Sequence, residues 1–299
     1  MTSATALADE RALAIVNPVA GSGAGEKLAA RIASEFRKLG MRLDVVVSPA
    51  PDEAARLARE GAAEGYRVIV AVGGDGTANE VANGIAGSGA ALALFPIGVG
   101  NDFARALGYP RRAALVPRFI RDARRHSIDI GDANGRIFLN AAGVGIDGHV
   151  AQRIAATSRL AGKTLGYFAG SLVGIATYRP QPMRVLVDGD LRSGQFLTVV
   201  AANGTHFGSG MHVAPTASLD DGQFDVLLAG DLSRWASVVA LAKLYRGTHV
   251  DGKTIVALRA RTVEIELDKP QRAQLDGETM TVERLSIRVR PRALEVLAA

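Results

Sequence analysis

Residues 68–80 read Val68-Ile69-Val70-Ala71-Val72-Gly73-Gly74-Asp75-Gly76-Thr77-Ala78-Asn79-Glu80. The run Val68–Val72 is apolar without polar alternation, which predicts a strand buried on both faces, as in a parallel sheet covered by helices. It stops at two glycines, an acid, a third glycine and a hydroxyl residue, and a helix over about Thr77–Ile85 follows. Ligands of parallel α/β sheets bind beyond the carboxyl ends of the strands. Glycines there let backbone N–H groups approach phosphate oxygens, and the helix N-terminus adds a favourable dipole. An aspartate in an anion-holding loop makes sense if Mg²⁺ lies between it and the phosphates, because a carboxylate supplies a hard oxygen ligand. The competing reading is a tight strand-to-helix turn with Thr77 as the helix cap.

Working outward, the same alternation covers the first third of the chain. Ala12–Val16 is a short apolar run ending at Asn17-Pro18 and a turn, Gly21–Gly25. Glu26–Leu39 has apolar residues at helical spacing and is ended by Gly40; Leu43–Val47 reads as a strand, Pro51–Glu60 as a helix and Ala91–Phe95 as a strand. A second loop, Pro96-Ile97-Gly98-Val99-Gly100-Asn101-Asp102-Phe103-Ala104-Arg105, again runs from a strand through glycines to an acid at a helix start. Two such loops after neighbouring strands face one crevice, each with an amide (Asn79, Asn101) and an aspartate. Gly21–Gly25 with Lys27 is no P-loop, because Glu26 separates the last glycine from the lysine and Leu28 replaces Ser or Thr.

After about Ser127 the pattern changes to many strands and few helices. Ile128–Ile130, Ile137–Asn140, Met183–Val187, Phe196–Ala201, Phe224–Leu228, Thr254–Ala260, Val263–Leu267 and Leu285–Val289 are strand-like, with tight-turn pairs at Asp188-Gly189 and Asp221-Gly222. Only Gly148–Tyr178 and Ser233–Tyr245 look helical, with Trp235 read as a packing residue. The expected organisation is an α/β nucleotide-binding domain over 1–130 and a β-sandwich-like domain over 131–289.

The 299 residues include no cysteine, which excludes a disulfide scaffold, a zinc ribbon, an iron–sulfur centre and a cysteine nucleophile together. The five histidines, His126, His149, His206, His212 and His249, lack metal-ligand spacing. A net charge of +5 suits a phosphate-bearing partner, and 5% aromatics argues against a single-strand nucleic-acid binder. The basic stretch Arg111–Arg125 reads as a solvated helix face or a contact with an anionic membrane. No signal peptide or spanning segment is apparent, so a membrane would be met from the water side.

Gly73–Glu80 and Gly98–Arg105 resemble the signature loops of the diacylglycerol kinase catalytic-domain family, which includes soluble bacterial lipid kinases and sphingosine kinases. Asn17-Pro18 resembles its opening motif, and Asn140–Asp147, Gly208–Pro215, Leu219–Asp225 and Leu275–Glu278 resemble later ones, in order through nearly the whole chain. The resemblance implies ATP- and Mg²⁺-dependent phosphorylation of a lipid hydroxyl, a nucleotide site between two domains, a C-terminal β-sandwich, and return of the last segment, about 290–299, to the first domain. It implies that Asn17, Gly73, Gly74, Asp75, Gly76, Thr77, Asn79, Glu80, Gly98, Gly100, Asn101 and Arg105 shape the nucleotide pocket, and that Asp75, Asp102 and Asp129 hold catalytic Mg²⁺. Asp276 would be the general base with Glu278 assisting. Ser218, Asp221 and the carbonyl of Gln223 would hold a second, structural Mg²⁺. By sequence alone Asp276-Gly277 and Asp221-Gly222 are equally ordinary turns.

The chemistry needs such a set: a lipid alcohol requires a positioned carboxylate to accept its proton, and phosphoryl transfer is otherwise positioning and charge neutralisation. Val99 stands where the family usually has threonine, and Ser209 where a third glycine is common. The expected setting is cytoplasmic, peripheral at the inner membrane face, with lipid and nucleotide as partners, no nucleic acid, and room for a homodimer. The lipid-selecting pocket is expected around Gly162–Tyr178. An NAD kinase, which shares the Gly-Gly-Asp-Gly-Thr loop, and a non-catalytic nucleotide- or lipid-binding relative are the alternatives.

Overall fold

A computed structural model describes residues 10–18, 25–50, 53–98, 100–150, 173–175, 177–208 and 210–299. The chain forms two compact units, 1–129 with 292–299, and 130–291.

In the first unit, β1 (Ala12–Val16), β2 (Leu43–Val47), β3 (Val68–Gly73) and β4 (Ala91–Pro96) lie in the order β4-β3-β1-β2, all parallel. β1 and β3 are buried along their whole length, the burial that the unalternating apolar runs predict. Helices α1 (Gly25–Lys38), α2 (Glu53–Ala63) and α3 (Asp75–Ile85) follow β1, β2 and β3. α2 and α3 approach closely because Gly84 has no side chain: a Cβ there would lie 2.3 Å from the Ala55 carbonyl oxygen. α4 (Asp102–Ala106) and α5 (Val116–Asp122) complete the unit's helices, and β5 (Arg124–Ala133) leads out of it. α3 starts at Asp75, earlier than the Thr77 start expected from sequence, with Gly74 as N-cap and no side chain capping it. The Thr77 cap is therefore not formed.

The second unit is antiparallel. It contains β6 (Arg136–Phe138), β7 (Ala141–Gly145), β8 (Gln181–Val187), β9 (Asp190–Phe196), β10 (Thr198–Ala202), β11 (Phe224–Ala229), α6 (Arg234–Leu244), β12 (Ile255–Ala260), β13 (Thr262–Leu275) and β14, whose full span Glu278–Ala298 runs on into the first unit. One layer has the order β12-β11-β10-β7-β13, and β13 pairs with β8 and β8 with β9 in the other. β13 serves both layers because its register shifts between Glu266 and Gln271, the bend that lets one strand change sheets. Between the layers Phe138 stacks on Phe224 with ring centroids 5.6 Å apart, amid Val185, Val226, Ile265 and Ile287. Phe138 fits because Gly131 is bare; a Cβ there would lie 2.0 Å from its ring. The molecule is thus an α/β unit joined to a β-sandwich-like unit.

Sequence expectations differ from these elements in instructive places. Phe196–Ala201 is two strands meeting at Leu197, and Ile137–Asn140 is the end of β6 and the turn into β7. The expected helix Gly148–Tyr178, with the expected lipid pocket inside it, falls largely on residues 151–172, outside the described residues; so do Gly21–Ala24, Val99 and Ser209.

Candidate functional site

The two glycine loops meet backbone to backbone. A Cβ on Gly98 would lie 2.6 Å from the Gly74 Cα, and one on Gly73 would lie 2.2 Å from Thr77 Oγ1. Ile97 N–H donates to the Gly73 carbonyl at 2.9 Å, holding the loops in register beyond β3 and β4. Only glycine permits this approach, so the glycines build a cradle.

The polar side chains lock it. Asn17 N–H donates to the Val72 carbonyl at 3.0 Å, and its Nδ2 donates to Thr77 Oγ1 at 3.0 Å, tying the end of β1 to the first turn of α3. Asn101 adopts φ 48, its Nδ2 donates to the Gly98 carbonyl at 2.8 Å, and its Oδ1 accepts the Gly98 N–H at 3.1 Å, closing the second loop on itself. Asp75 Oδ1 accepts the Phe103 N–H at 3.1 Å, so the acid of the first loop caps the helix that follows the second. Asp102, 4% exposed, pairs with Arg105 Nη1 at 3.2 Å, and Arg105 Nη2 donates to the Gly100 carbonyl at 3.4 Å. A small pocket lined by Gly73, Gly74, Asp75, Ala78, Pro96 and Asn101 opens at this junction. The N-cap of α3, Gly74, has no side chain to cap the helix, and an N-terminus of this kind, with its free N–H groups and helix dipole, is suited to phosphate.

Two residues expected in the nucleotide pocket also bond within the first unit. Glu80 Oε2 accepts the Ala54 N–H at the start of α2, at 3.2 Å, and Asn79 Oδ1 accepts from Asn83 Nδ2 at 2.8 Å within α3.

The acids assigned to catalytic Mg²⁺ divide. Asp75 and Asp102 flank the same junction, whereas Asp129, fully buried, accepts the Arg292 N–H at 2.8 Å. Among the described residues no three His, Cys, Asp or Glu side chains form a metal-holding group. Hard carboxylate oxygens without sulfur or imidazole suit Mg²⁺, which commonly takes one or two carboxylates, phosphate oxygens and several waters. Asp75 and Asp102 fit that requirement; Asp129 is tied to the C-terminal segment through the Arg292 N–H.

The second expected Mg²⁺ site does not fit. Asp221 Oδ1 accepts the Gln223 N–H at 3.0 Å, Asp221 Oδ2 pairs with the guanidinium of Arg259, and Ser218 Oγ turns to Asp220 Oδ1 at 2.6 Å. Arg259 sits directly across from Asp225 in the β11–β12 pairing and is also within 3.7 Å of that buried carboxylate. The positive charge in this corner is a guanidinium.

In the second unit Asp276 and Gly277 have φ 48 and 92 and form the tight turn between β13 and β14. The turn reading and a placed carboxylate are both realised. Asp276 Oδ2 accepts the Leu139 N–H at 2.6 Å, and Oδ1 accepts those of Asn140 and Ala141 at 2.9 and 3.0 Å. Gly277 N–H donates to Gln274 Oε1 at 3.0 Å. Glu278 pairs with Arg136 at 2.6 Å, both side chains about half exposed.

Sequence reasoning passed over Asp147 except as the end of a motif. Its Oδ1 accepts from Thr198 Oγ1 at 2.9 Å, while Oδ2 is sealed from solvent without a hydrogen-bond partner among the described residues, although the residue as a whole is half-buried. Burial pushes its carboxyl up to about 6, against the opposing pull of Thr198 and of the nearby Gln274 side chain. Oδ2 would sit 2.7 Å from a Cβ on Gly143, so the bare glycine makes its niche. The signal was present in Gly143-Val144-Gly145-Ile146-Asp147, a buried strand ending in glycine and an acid as at Gly73–Asp75. Trp235 likewise does not pack: it is 76% exposed.

Comparisons with known proteins give the family and the fold. Residues 11–133 match the family described as diacylglycerol kinase catalytic domain, and residues 140–298 match the YegS C-terminal NAD kinase beta sandwich-like domain. A diacylglycerol kinase of Bacillus subtilis (strain 168) is 30% identical over 90% of each chain. A Pseudomonas aeruginosa protein named "probable lipid kinase YegS-like" is 35% identical over 92% of this chain and 91% of its own. A crystal structure from Bacillus anthracis, described as a candidate diacylglycerol kinase, superposes with TM-score 0.82 at 25% identity, covering 100% of this chain and 99% of that one.

Proposed function

The chain belongs to the family of diacylglycerol kinase catalytic domains joined to a YegS-type β-sandwich, and from that premise we propose that it transfers the γ-phosphoryl group of ATP to the hydroxyl of diacylglycerol or a related lipid alcohol. The observation that carries this reading is the contact of the two loops at Gly74 and Gly98, with the uncapped start of α3 beside them. It offers backbone N–H groups and a helix dipole to a polyphosphate. The names of the relatives support a lipid acceptor, and nothing in them favours NAD.

In this proposal the cradle of the first unit orients the triphosphate, with Asn17, Thr77 and Asn101 keeping the loops in place. Asp75 and Asp102 would hold Mg²⁺, which when bound neutralises charge on the transferring phosphoryl group. Arg105 pairs with Asp102 and keeps that carboxylate oriented. Asp276 accepts the proton of the lipid hydroxyl as its oxygen bonds to the γ-phosphorus and the bond to the ADP oxygen breaks. Three backbone donors, the N–H groups of Leu139, Asn140 and Ala141, fix the direction of this carboxylate.

The test is γ-labelled ATP and Mg²⁺ with a panel of lipids in mixed micelles and NAD in a parallel reaction. Label on a lipid, reduced about 100-fold or more in Asp276→Asn, is the expected outcome. Because the substituted amide would turn an N–H toward a backbone donor, the variant's melting must be measured alongside. Loss of activity with KM for ATP intact and a folded protein supports the base; label on NAD overturns the acceptor.

A further inference from the structure

We propose that α6 is a membrane-docking helix whose outer face, Trp235, Val239 and Ala242 bordered by Lys243 and Arg246, seats on an anionic lipid bilayer. The helix opens with Ser233, whose Oγ accepts the Ala236 N–H at 3.2 Å. Its inner side is already used. Ser237 is buried, Ala240 packs against Leu197, Ala229 and Ile255, and Leu244 packs against Val213, Ala214 and Leu227. At about 100° per residue, Trp235, Val239 and Ala242 fall within about 60° of one another on the opposite side. All three are exposed, Trp235 at 76% and Val239 at 38%, and Tyr245 and Val250, just past the helix, are exposed as well. A surface helix of a globular domain normally turns polar residues to water. This one is apolar on both sides.

Charge identifies the occupant. From Leu232 to Val250 there is no aspartate or glutamate, while Arg234, Lys243 and Arg246 are all exposed. A second copy laid on this face would oppose like charges; a bilayer with anionic headgroups would satisfy them. Tryptophan and tyrosine favour the headgroup boundary, where one part of the ring is dry and the other wet, and the basic side chains reach past them to the headgroups. The apolar patch alone is too small for stable attachment, so the basic residues supply the second signal. The purpose of the docking, access to an acceptor dissolved in the bilayer, rests on the lipid-kinase reading; the binding itself does not.

Trp235 is the sole tryptophan of the chain, so its emission reports the contact directly. Full-length protein is titrated, without ATP, with vesicles of phosphatidylcholine alone or mixed with phosphatidylglycerol. A blue shift confined to the anionic vesicles and suppressed by salt is expected. In co-sedimentation, Trp235→Ser and the pair Lys243→Glu with Arg246→Glu should each bind about tenfold more weakly, with melting and phosphorylation of dispersed short-chain diacylglycerol unchanged. Unshifted emission, undiminished vesicle binding by the variants, or a wild-type dimer that Trp235→Ser converts to monomer overturns the docking face. Absence of phosphorylation of every dispersed lipid of the panel by the wild type overturns the kinase reading instead, whatever the vesicles show.

Discussion

Asp276 and Asp147 are two acids of the second unit in opposite circumstances. Asp276 is surrounded by N–H donors that fix it in place, while Asp147 has one oxygen satisfied by Thr198 and the other shut away over Gly143. Burial favours the uncharged form of Asp147 and raises its carboxyl to about 6, above the ordinary value of 3.8 that it regains on unfolding. Between those values the folded chain binds more protons at this position than the unfolded chain, so stability falls as pH rises. The contribution is fully present below about pH 4 and lost by the time pH passes about 6. Asp147→Asn, which keeps an acceptor for Thr198 Oγ1 and abolishes the charge, is therefore expected to be more stable than the wild type at pH 7–8, by on the order of 2 kcal/mol. The two should converge below about pH 4. Urea unfolding at a series of pH values measures this, and a difference independent of pH would refute the buried-charge account.

Elements carry the next set of consequences, because the site is made by strand ends and turns. Gly98→Ala puts a Cβ 2.6 Å from the Gly74 backbone, which no side-chain rotation relieves. The loops must part. KM for ATP is expected to rise at least about tenfold with a loss of about 1–3 kcal/mol in stability, measured by steady-state kinetics and melting; unchanged kinetics would remove the cradle from the nucleotide site. The corner between β11 and β12 gives a prediction about metal. With Arg259 on Asp221 and Asp225, chelation should leave wild-type melting unchanged, while Arg259→Met should cost about 1 kcal/mol, the guanidinium being half exposed. A wild-type melting temperature lowered by chelator and restored by Mg²⁺, with the response lost in Asp221→Asn, would reinstate the metal there. Legibility at this scale follows from locality. β1, β3 and β4 were readable because burial on both faces leaves unbroken apolar runs, and the hairpin turn Asp188-Gly189 because two adjacent residues determine it. β9 was not readable: six of its seven residues are exposed, so no pattern marks it. The Arg259 pairing was hidden because it depends on cross-strand register between segments 34 positions apart, Asp225 and Arg259.

At the scale of the molecule, the chain's last strand belongs to both units. Leu285–Val289 was the only part of β14 legible as a strand, since its alternation stops at Pro291, yet the segment from Arg292 onward is an integral part of the first unit. Glu295 and Val296 pair in parallel with Ala91 and Leu92 on the edge of β4. Asp129 accepts the Arg292 N–H, Gly87 N–H donates to the Ala293 carbonyl at 3.0 Å, and Ser127 bonds to Glu295. Buried Tyr109 donates its hydroxyl to the Leu297 carbonyl at 2.9 Å and accepts the Leu94 N–H at 3.1 Å, bridging the terminal strand to β4; burial holds this phenol well above its usual ionisation range. Leu294, Val296 and Leu297 are each at most 1% exposed. Burying three aliphatic side chains contributes about 5–8 kcal/mol, comparable with the whole stability of a typical domain, about 5–15 kcal/mol. A chain ending at Pro291 is therefore expected to lose cooperative folding of the first unit and with it ATP binding, while the second unit, whose core of Phe138, Phe224, Ile265 and Ile287 lies before that point, keeps its β-sheet circular dichroism. Tyr109→Phe provides the graded version: it leaves the Leu297 carbonyl and the Leu94 N–H buried without their bridge, and should lower stability by about 1–3 kcal/mol. Melting of both chains decides it. If truncation after Pro291 left the melting profile and ATP affinity intact, the terminal strand would be an appendage, and the first unit would have to be complete in residues 1–129 alone.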